Sequence, residues 1–316
     1  MQQYIARRLL YSIPVLLVVS ILVSGLIRLQ PGDAVMAMMA ESGNIDPAIL
    51  GKIRHELGLD LPFPQQYAVW MWNLARGDPG QSYWSGKPIL ELWSKAIPIT
   101  LELGLLAIVV SVLIAIPIGV ITAIRQDSWL DHAGRVFAIS GLSLPDFWLG
   151  TLVVIGAGLF FHWIPKIEYI SPFQNPLGNL VQFALPATIL GFRLSATAMR
   201  MTRSTMLEVL REDYIRTAWA KGLQERVVVM RHALKNALIP VITILGTQLR
   251  LLLGGSVIME VIFSMPGMGR LTYDAILQRD YLLVQGNVMF LAMLAIVLNL
   301  LVDISYGWFD PRIRYN

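Results

Sequence analysis

The sequence of 316 residues contains no cysteine and few charged residues. The absence of cysteine excludes disulfides, thiolate metal ligands and a cysteine nucleophile, and it leaves the redox compartment unspecified. Charged residues make up 15% of the chain, hydrophobic residues make up 55%, and the mean hydropathy is +0.60. Soluble domains carry about 25% charged residues. The composition therefore predicts a chain that lies largely in a lipid bilayer.

The patterns of nucleotide, metal and hydrolase sites are also missing. The nearest approach to a phosphate-binding loop, Gly80–Lys87, has one residue too many between its glycines, and Pro88 stands where Ser or Thr would ligate magnesium. No Gly-x-Ser-x-Gly elbow occurs. Metal binding is not favoured either, because the histidines lie in separate segments without paired ligand spacing; they are His55, His132, His162 and His232. We expect no enzyme activity and no cofactor in this chain.

The net charge of +4 does not indicate a nucleic-acid partner. The basic residues lie at the ends of apolar runs, as membrane topology requires, and no basic patch is interleaved with aromatic residues. A bilayer core of roughly 30 Å needs about 20 apolar residues in a helix. Stretches of this kind lie approximately at residues 9–28, 98–124, 135–163, 181–201, 239–259 and 285–306. The sequence thus predicts an all-α integral membrane protein with six transmembrane helices.

Arg7 and Arg8 precede the first apolar run, so we expect its start to lie in the cytoplasm. A cleaved signal peptide is the alternative interpretation. The run is longer than a usual signal-peptide core, and the small-residue cleavage candidate around Val23–Gly25 lies inside it, which favours an uncleaved helix. Alternation from there places both termini and residues 203–240 on the cytoplasmic side.

We expect three regions: an N-terminal helix over residues 1–29, an extracytoplasmic segment over 30–97, and a five-helix core over 98–316. The extracytoplasmic segment contains a predicted helix near Pro47 to Leu57. It is either a plain connection or a lip that meets a delivery protein at the outer mouth.

Polar and proline residues interrupt the predicted spans. A charged side chain at the bilayer centre costs about 2.5 to 3.5 kcal/mol on insertion scales and therefore faces protein or water. The candidates for such pathway or intramembrane positions are Glu102, Asp146, Arg193 and Arg250. Arg250 lines a pathway or pairs with Asp146 or Glu102, and the sequence leaves both possibilities open. Helix kinks are predicted at Pro117, Pro145 and Pro186.

Residues 203–240 form the longest charged stretch, and they retain a helical pattern. Apolar positions at intervals of three and four place Leu207, Leu210, Tyr214 and Ala218 on one helix face. Gly222 supplies the left-handed conformation at which this helix stops. A second helix is predicted after it and is expected to end at Pro240.

Ala218, Ala220 and Gly222 leave the end of the first helix nearly bare, so that a partner could approach its backbone. An ordinary basic cytoplasmic loop is the alternative. The stretches Asp213–Gly222 and Arg231–Pro240 closely resemble the coupling loop of permease subunits of bacterial ABC importers, in the dipeptide and oligopeptide branch. Thr217 stands where the superfamily motif has Glu, a departure that the peptide branch shares. Further similar phrases extend from about Pro31 to Arg312.

The resemblance implies the type I ABC importer permease fold and a place in the bacterial inner membrane. It implies as partners a second homologous permease, two ATPase subunits that bind ATP and magnesium, and an extracytoplasmic substrate-binding protein. In that family the coupling loop inserts into a groove on the ATPase. The residues expected to couple are Asp213, Arg216, Ala218, Ala220 and Gly222.

The function implied is uptake of dipeptides or oligopeptides. The alternatives are the same architecture importing nickel chelates, glutathione or another small solute, and an ion-gradient carrier. A carrier usually shows internal inverted repeats, and no convincing repeat relates residues 1–160 to 161–316.

Overall fold

The computed structural model describes residues 2–29, 32, 35–37 and 47–309, with the backbone alone at 2, 47–50, 56, 250–251, 253–255 and 305–309. These residues form helices and no β-strand; Gln81 and Pro88 form an isolated bridge. The helices are α1 (Gln2–Ile27), α2 (Pro47–Glu56), α3 (Phe63–Ala75), α4 (Ile89–Ile124), α5 (Trp129–Ser143), α6 (Asp146–Phe161), α7 (Pro176–Val209), α8 (Asp213–Ala220), α9 (Glu225–Val227), a π-helical stretch (Val228–Ala233), α10 (Leu234–Ile262), α11 (Met268–Leu277) and α12 (Tyr281–Phe309).

Within the described part of the chain, five helices are long and apolar enough to cross a bilayer. They contain Gln3–Ile27, Ile89–Ile124, Pro176–Val209, Glu225–Leu249 and Tyr281–Ile304. The pair α5 and α6 supplies a sixth candidate span that is bent by 95°. The predicted all-α membrane architecture is confirmed, and so is the helix that begins at Pro47.

The predicted span over residues 135–163 corresponds to the pair α5 and α6, and the chain breaks between these two helices. Leu144 is extended, with φ −85° and ψ 123°, and Pro145 follows it. The proline ring disfavours the helical conformation of the preceding residue and removes one amide donor. Pro145 therefore produces a corner of 95° instead of the expected kink.

The predicted helix end at Pro240 is wrong, since Pro240 lies inside α10. Pro186 likewise lies inside α7. A helix that ended within an apolar environment would leave several backbone N–H and C=O groups without hydrogen-bond partners. A proline inside a continuous helix removes only one hydrogen bond. A helix that must continue across a bilayer therefore tolerates the proline.

The chain folds into two compact units, Met1–Thr100 with Pro266–Leu300, and Leu101–Met265 with Leu301–Asn316. In the second unit, small residues allow close approach of long helices. A Cβ atom on Gly191 of α7 would lie 2.8 Å from the carbonyl oxygen of Ala107 in α4. A Cβ on Gly119 of α4 would lie 2.6 Å from the Cβ of Thr202. Such contacts are the usual means of helix association in membranes.

A buried carboxylate organises the first unit. Asp280 is fully buried and accepts hydrogen bonds from the Ser82 hydroxyl (2.6 Å) and the Trp84 amide (3.3 Å). It also accepts from the amide of Leu283 in the first turn of α12 (3.3 Å). Asp280 thus joins the loop before α4 to the start of α12.

Substituting Asp280→Ala should open this loop locally. The buried Ser82 hydroxyl and the Trp84 amide would lose their acceptor, at a cost of about 1 to 3 kcal/mol. Amide hydrogen exchange of residues 80–88 should accelerate by about 5- to 150-fold, as measured by mass spectrometry.

The matched control is Asp274→Ala, which removes a half-exposed carboxylate that pairs with Arg270 at 3.6 Å. Exchange of residues 80–88 should remain unchanged in this variant. Equal exchange rates in both variants would contradict the assigned role of Asp280.

Candidate functional site

The predicted first helix of the 203–240 segment is two helices. The long helix α7 ends at Val209, and α8 begins at Asp213. The intervening turn uses bonds from the Arg211 amide to the Glu208 carbonyl (3.1 Å) and from the Glu212 amide to the Val209 carbonyl (3.1 Å). This tighter turn changes the direction of the chain. The side chains of α8 that point inward are therefore not the ones that a single continuous helix would place there.

The inward face of α8 consists of Ile215 and Ala218, which are 0% and 6% exposed. Tyr214, predicted on the apolar face, is 42% exposed instead. Ala218 does not contribute to a bare tip, because its methyl group packs inward. Trp219 is an exposed residue of α8 that the sequence analysis missed, although its place beside the small residues could have indicated it.

Ile215 and Ala218 belong to a hydrophobic cluster, called here the α8 cluster, that joins the ends of three long helices. The Thr205 hydroxyl of α7 donates to the carbonyl of Ala237 in α10 (3.0 Å) beside this cluster. Asn236 donates to the hydroxyl of Tyr214 (2.7 Å). The buried residues of the α8 cluster are Val120, Ala123, Met206, Ile215, Ala218, Val228, Val229, Ala233, Leu234 and Ala237. The short helix α8 is thereby fixed to α4, α7 and α10.

Gly222 ends α8, and this prediction is confirmed. Its φ is +75°, its amide donates to the carbonyl of Trp219 (2.9 Å), and the Leu223 amide donates to the carbonyl of Ala218 (3.4 Å). These two bonds form the Schellman pattern. A Cβ atom at Gly222 would meet nothing within 4 Å. Glycine is therefore needed at position 222 for its left-handed backbone conformation, and not for close packing.

The outer face of α8 is polar and open. Asp213 and Arg216 pair at 3.3 Å, and both side chains are mostly exposed. Such a pair contributes little to stability, so both groups remain accessible to another protein. Ala220 and Gly222 are exposed at the end of the same surface.

A buried ion cluster lies near the end of α7, at the start of the 203–240 segment. The sequence did not predict it. Asp131 of α5 is fully buried and binds Arg203 through both carboxylate oxygens (2.7 and 2.8 Å). Arg135 donates to it at 2.6 Å, and the Asp127 amide donates at 3.1 Å. The Ser128-x-x-Asp131 capping pattern, in which Ser128 caps α5, marks the position in the sequence. The cluster ties α5 to α7.

The intramembrane candidates divide into two places. Arg193 of α7 donates to Asp146 Oδ2 at 2.6 Å, with side-chain exposures of 59% and 11%. Both residues line a cavity of about 440 Å³. Asp146 therefore pairs with Arg193. The side chain of Arg250 lies outside the described residues.

Glu102 does not line this cavity. It accepts a hydrogen bond from the hydroxyl of Tyr169 at 2.8 Å. Burial, together with the bond to Glu102, raises the pKa of Tyr169 to about 12. The phenol therefore remains a donor at neutral pH.

In the part of the chain that the structure describes, no three His, Asp or Glu side chains are grouped to hold a metal ion.

Two family profiles together match most of the chain. Residues 115–315 match the profile of the binding-protein-dependent transport system inner membrane component, and residues 1–104 match the N-terminal profile of such membrane components. A protein of Brucella abortus (strain 2308), provisionally named a peptide transport system permease, is 42% identical over 316 residues, covering 100% of both chains.

The dipeptide transport system permease protein DppB of Escherichia coli (strain K12) is 40% identical over 338 residues, covering 100% of this chain and 99% of that one. The solved inward-facing MetNI methionine ABC transporter gives a TM-score of 0.53 at 16% identity, covering 70% of this chain and 98% of the matched chain. That likeness concerns the fold alone, and it agrees with the expected type I importer permease fold.

Substituting Asp131→Leu should destabilise the protein strongly, because the partly buried Arg203 would lose its carboxylate. Breaking a buried ion pair from one side costs about 3 to 5 kcal/mol. The double variant Asp131→Leu with Arg203→Met should recover much of this loss, since the remaining cation, Arg135, is 45% exposed and keeps Asp127 at 3.4 Å. Thermal unfolding in detergent measures both effects.

Asp127→Asn is the control. Its exposed carboxylate lies 3.4 Å from Arg135, and its removal should cost less than about 1 kcal/mol. A single Asp131 variant as stable as this control would contradict the role given to the cluster.

Proposed function

The chain belongs to the family of inner membrane components of binding-protein-dependent transport systems, and from this premise we propose that it forms half of the pathway of an ATP-driven peptide importer. It is the membrane permease, and not the catalytic subunit. A second, homologous permease supplies the other half of the pathway. Two ATPase subunits bind ATP and magnesium, and an extracytoplasmic binding protein delivers the substrate.

The observation that carries this proposal is the seating of α8. An exposed helix of eight residues is fixed by the α8 cluster to the ends of α4, α7 and α10. A push on α8 therefore acts on three long helices at once. Closure of the ATPases supplies that push, because ATP has a higher affinity for their closed state and shifts the equilibrium toward it.

The proposed coupling residues have different tasks. Asp213, Arg216, Ala220 and Gly222 are exposed and contact the ATPase, as does Trp219. Ala218 is buried and holds α8 on the cluster. A larger side chain at Ala218 would lift the helix from the cluster without changing its outer surface.

The proposed orientation places both termini and α8 in the cytoplasm, with residues 30–97 on the outer side of the inner membrane. Arg7 and Arg8 at the start of α1 and the basic residues of 203–240 support it through the positive-inside rule. The binding protein then docks on the outer side, against α2 and α3.

Peptides are the proposed substrate. Relatives that align over their full length are named for dipeptide or di/tripeptide transport. The cavity of about 440 Å³ beside Asp146 and Arg193 presents charges of both signs, which suits a molecule with an amino and a carboxylate end.

Substituting Gly222→Val should uncouple ATP hydrolysis from uptake. A branched side chain at φ +75° costs about 1 to 2 kcal/mol in a left-handed conformation, so the end of α8 should unwind and change the surface offered to the ATPase. In proteoliposomes with the complete transporter, peptide uptake per ATP hydrolysed should fall at least about tenfold. Membrane insertion should remain normal.

Gly86→Val is the matched control, because Gly86 has φ +66° and equally open space around its Cβ position. It carries the same backbone strain outside the 203–240 segment and should leave the ratio of uptake to hydrolysis unchanged. A Gly222 variant that transports at the wild-type ratio would overturn the coupling role of α8.

A further inference from the structure

A groove lined by apolar residues runs between the second half of α6 and the first part of α7. It has a volume of about 580 Å³. On α6 its wall extends from Val153 to Phe161, roughly 12 Å at 1.5 Å per residue. The residues of this groove, called here the α6–α7 groove, are Val153, Gly156, Ala157, Phe160, Phe161, Trp163, Val181, Ala184 and Leu185. Its chemistry suits a hydrocarbon chain.

A second cavity adjoins the α6–α7 groove, because Trp163 and Val181 line both. It has a volume of about 310 Å³, and part of its wall is polar. Its residues are Trp163, Pro165, Lys166, Ile170, Asn175, Leu177, Gly178, Val181, Gln182 and Phe263, and it is called here the loop cavity. A molecule with a polar head and a hydrocarbon chain matches the two cavities together.

Lys166 is the charged residue among those that line the two cavities. It is exposed, and it forms no ion pair within the part of the chain that the structure describes. Glu168, the acidic residue of the same loop, lines neither cavity. The positive charge of Lys166 is therefore available to an anionic group.

The loop that carries Lys166, residues 162–175, is held by side chains of α7. Gln182 Nε2 donates to the carbonyl of Lys166 at 3.3 Å. Asn179 Nδ2 donates to the carbonyl of Ile170 at 2.8 Å. Gln182 and Asn179 are both buried. The backbone at Lys166 thus has a fixed position beside the first two turns of α7.

The same loop exposes apolar side chains. Ile164 is 78% exposed, Ile167 is 68% exposed and Phe173 is 97% exposed. Exposed apolar side chains on a connecting loop mark an interaction surface. Tryptophan, present here as Trp163, is enriched where a membrane meets water. The loop therefore suits the level of the lipid headgroups, with the α6–α7 groove at the level of the acyl chains.

We propose that the two cavities bind one phospholipid, whose acyl chain lies in the α6–α7 groove and whose phosphate is bound by Lys166. The acyl chain gives little selectivity, because hydrocarbon surrounds membrane helices in any case. The phosphate supplies the selectivity, since basic residues between membrane helices bind anionic headgroups. This lipid site goes beyond the proposed transport function and does not depend on the transported substrate.

Photocross-linking of the assembled transporter in proteoliposomes tests the site. The photoreactive residue p-benzoylphenylalanine replaces either Phe160, which lines the α6–α7 groove, or Phe173, which lines neither cavity. The vesicles contain equal amounts of phosphatidylglycerol and of the uncharged lipid glucosyl diacylglycerol. Mass spectrometry of the cross-linked peptides should give a ratio of phosphatidylglycerol to glycolipid that is about three- to fivefold higher at position 160 than at position 173.

The charge is tested by Lys166→Gln, which keeps a polar side chain and removes the cation. The lipid ratio at position 160 should fall to the ratio at position 173. Lys87→Gln is the matched control, because Lys87 is exposed and lines neither cavity, and it should leave the ratio unchanged. An equal fall in both variants would mean general attraction of anionic lipid to a positive surface and would overturn the phosphate site.

The groove is tested by Gly156→Leu. A Cβ atom at Gly156 meets nothing within 4 Å, so the new side chain occupies the groove without a clash at its Cβ. The yield of lipid cross-links at position 160 should fall severalfold. Gly25→Leu in α1 is the control, since its Cβ position is equally open, and it should leave the yield unchanged. An undiminished yield in Gly156→Leu would contradict the position given to the acyl chain.

The cross-linked partner identifies what covers the α6–α7 groove. Cross-links from position 160 to another subunit in place of lipid would show that a protein occupies the groove, and they would overturn the proposal. Equal lipid ratios at positions 160 and 173 would mean contact with bulk lipid only and would overturn it as well.

Discussion

Burial of Ile215 and Ala218 in the α8 cluster is the interaction on which the functional architecture depends. An eight-residue helix is too short to be stable alone in water, so its position comes from packing. The other buried residues of this cluster lie at the ends of α4 and α7, in the π-helical stretch and at the start of α10. A partner protein that contacts the exposed face of α8 therefore acts on the framework of the second unit.

The same helices connect the α8 cluster to the polar cavity. Along α7, Arg193 lies twelve residues before Thr205, a distance of roughly 18 Å at 1.5 Å per residue. Along α10, Gln248 lies eleven residues after Ala237, or roughly 17 Å. Rotation of these helices at one end therefore displaces the cavity wall at the other. The ion cluster of Asp131 couples α5 to this movement through Arg203.

The sequence predicted features that follow from short-range rules. The lengths of the apolar runs predicted the positions of the membrane helices. The preference for a left-handed residue after a helix predicted that α8 ends at Gly222. The same rules failed for prolines: Pro145 makes a corner and Pro240 lies within a helix. The choice between these outcomes depends on what surrounds the freed carbonyl groups, which is a property of the packed structure.

Pairings between distant residues were also beyond sequence reasoning. Charge alone did not select Arg193 as the partner of Asp146, and the fold places the two side chains in contact. Tyr214 was predicted on the apolar face because the periodicity was assumed to continue from α7, and the turn at residues 210–212 shifted it.

The central claim is that α8 moves as one body with α10. Its most direct test is the distance between spin labels on Thr217→Cys in α8 and Lys235→Cys in α10, both exposed positions in a chain without native cysteine. Pulsed electron paramagnetic resonance would compare the nucleotide-free transporter with the ATP-trapped transporter, with partner subunits that lack reactive cysteines. If α8 and α10 move as one body, the distance distribution should be narrow and the same in both states. A distribution that shifts or broadens on ATP binding would show that α8 moves independently of α10, and would contradict the account.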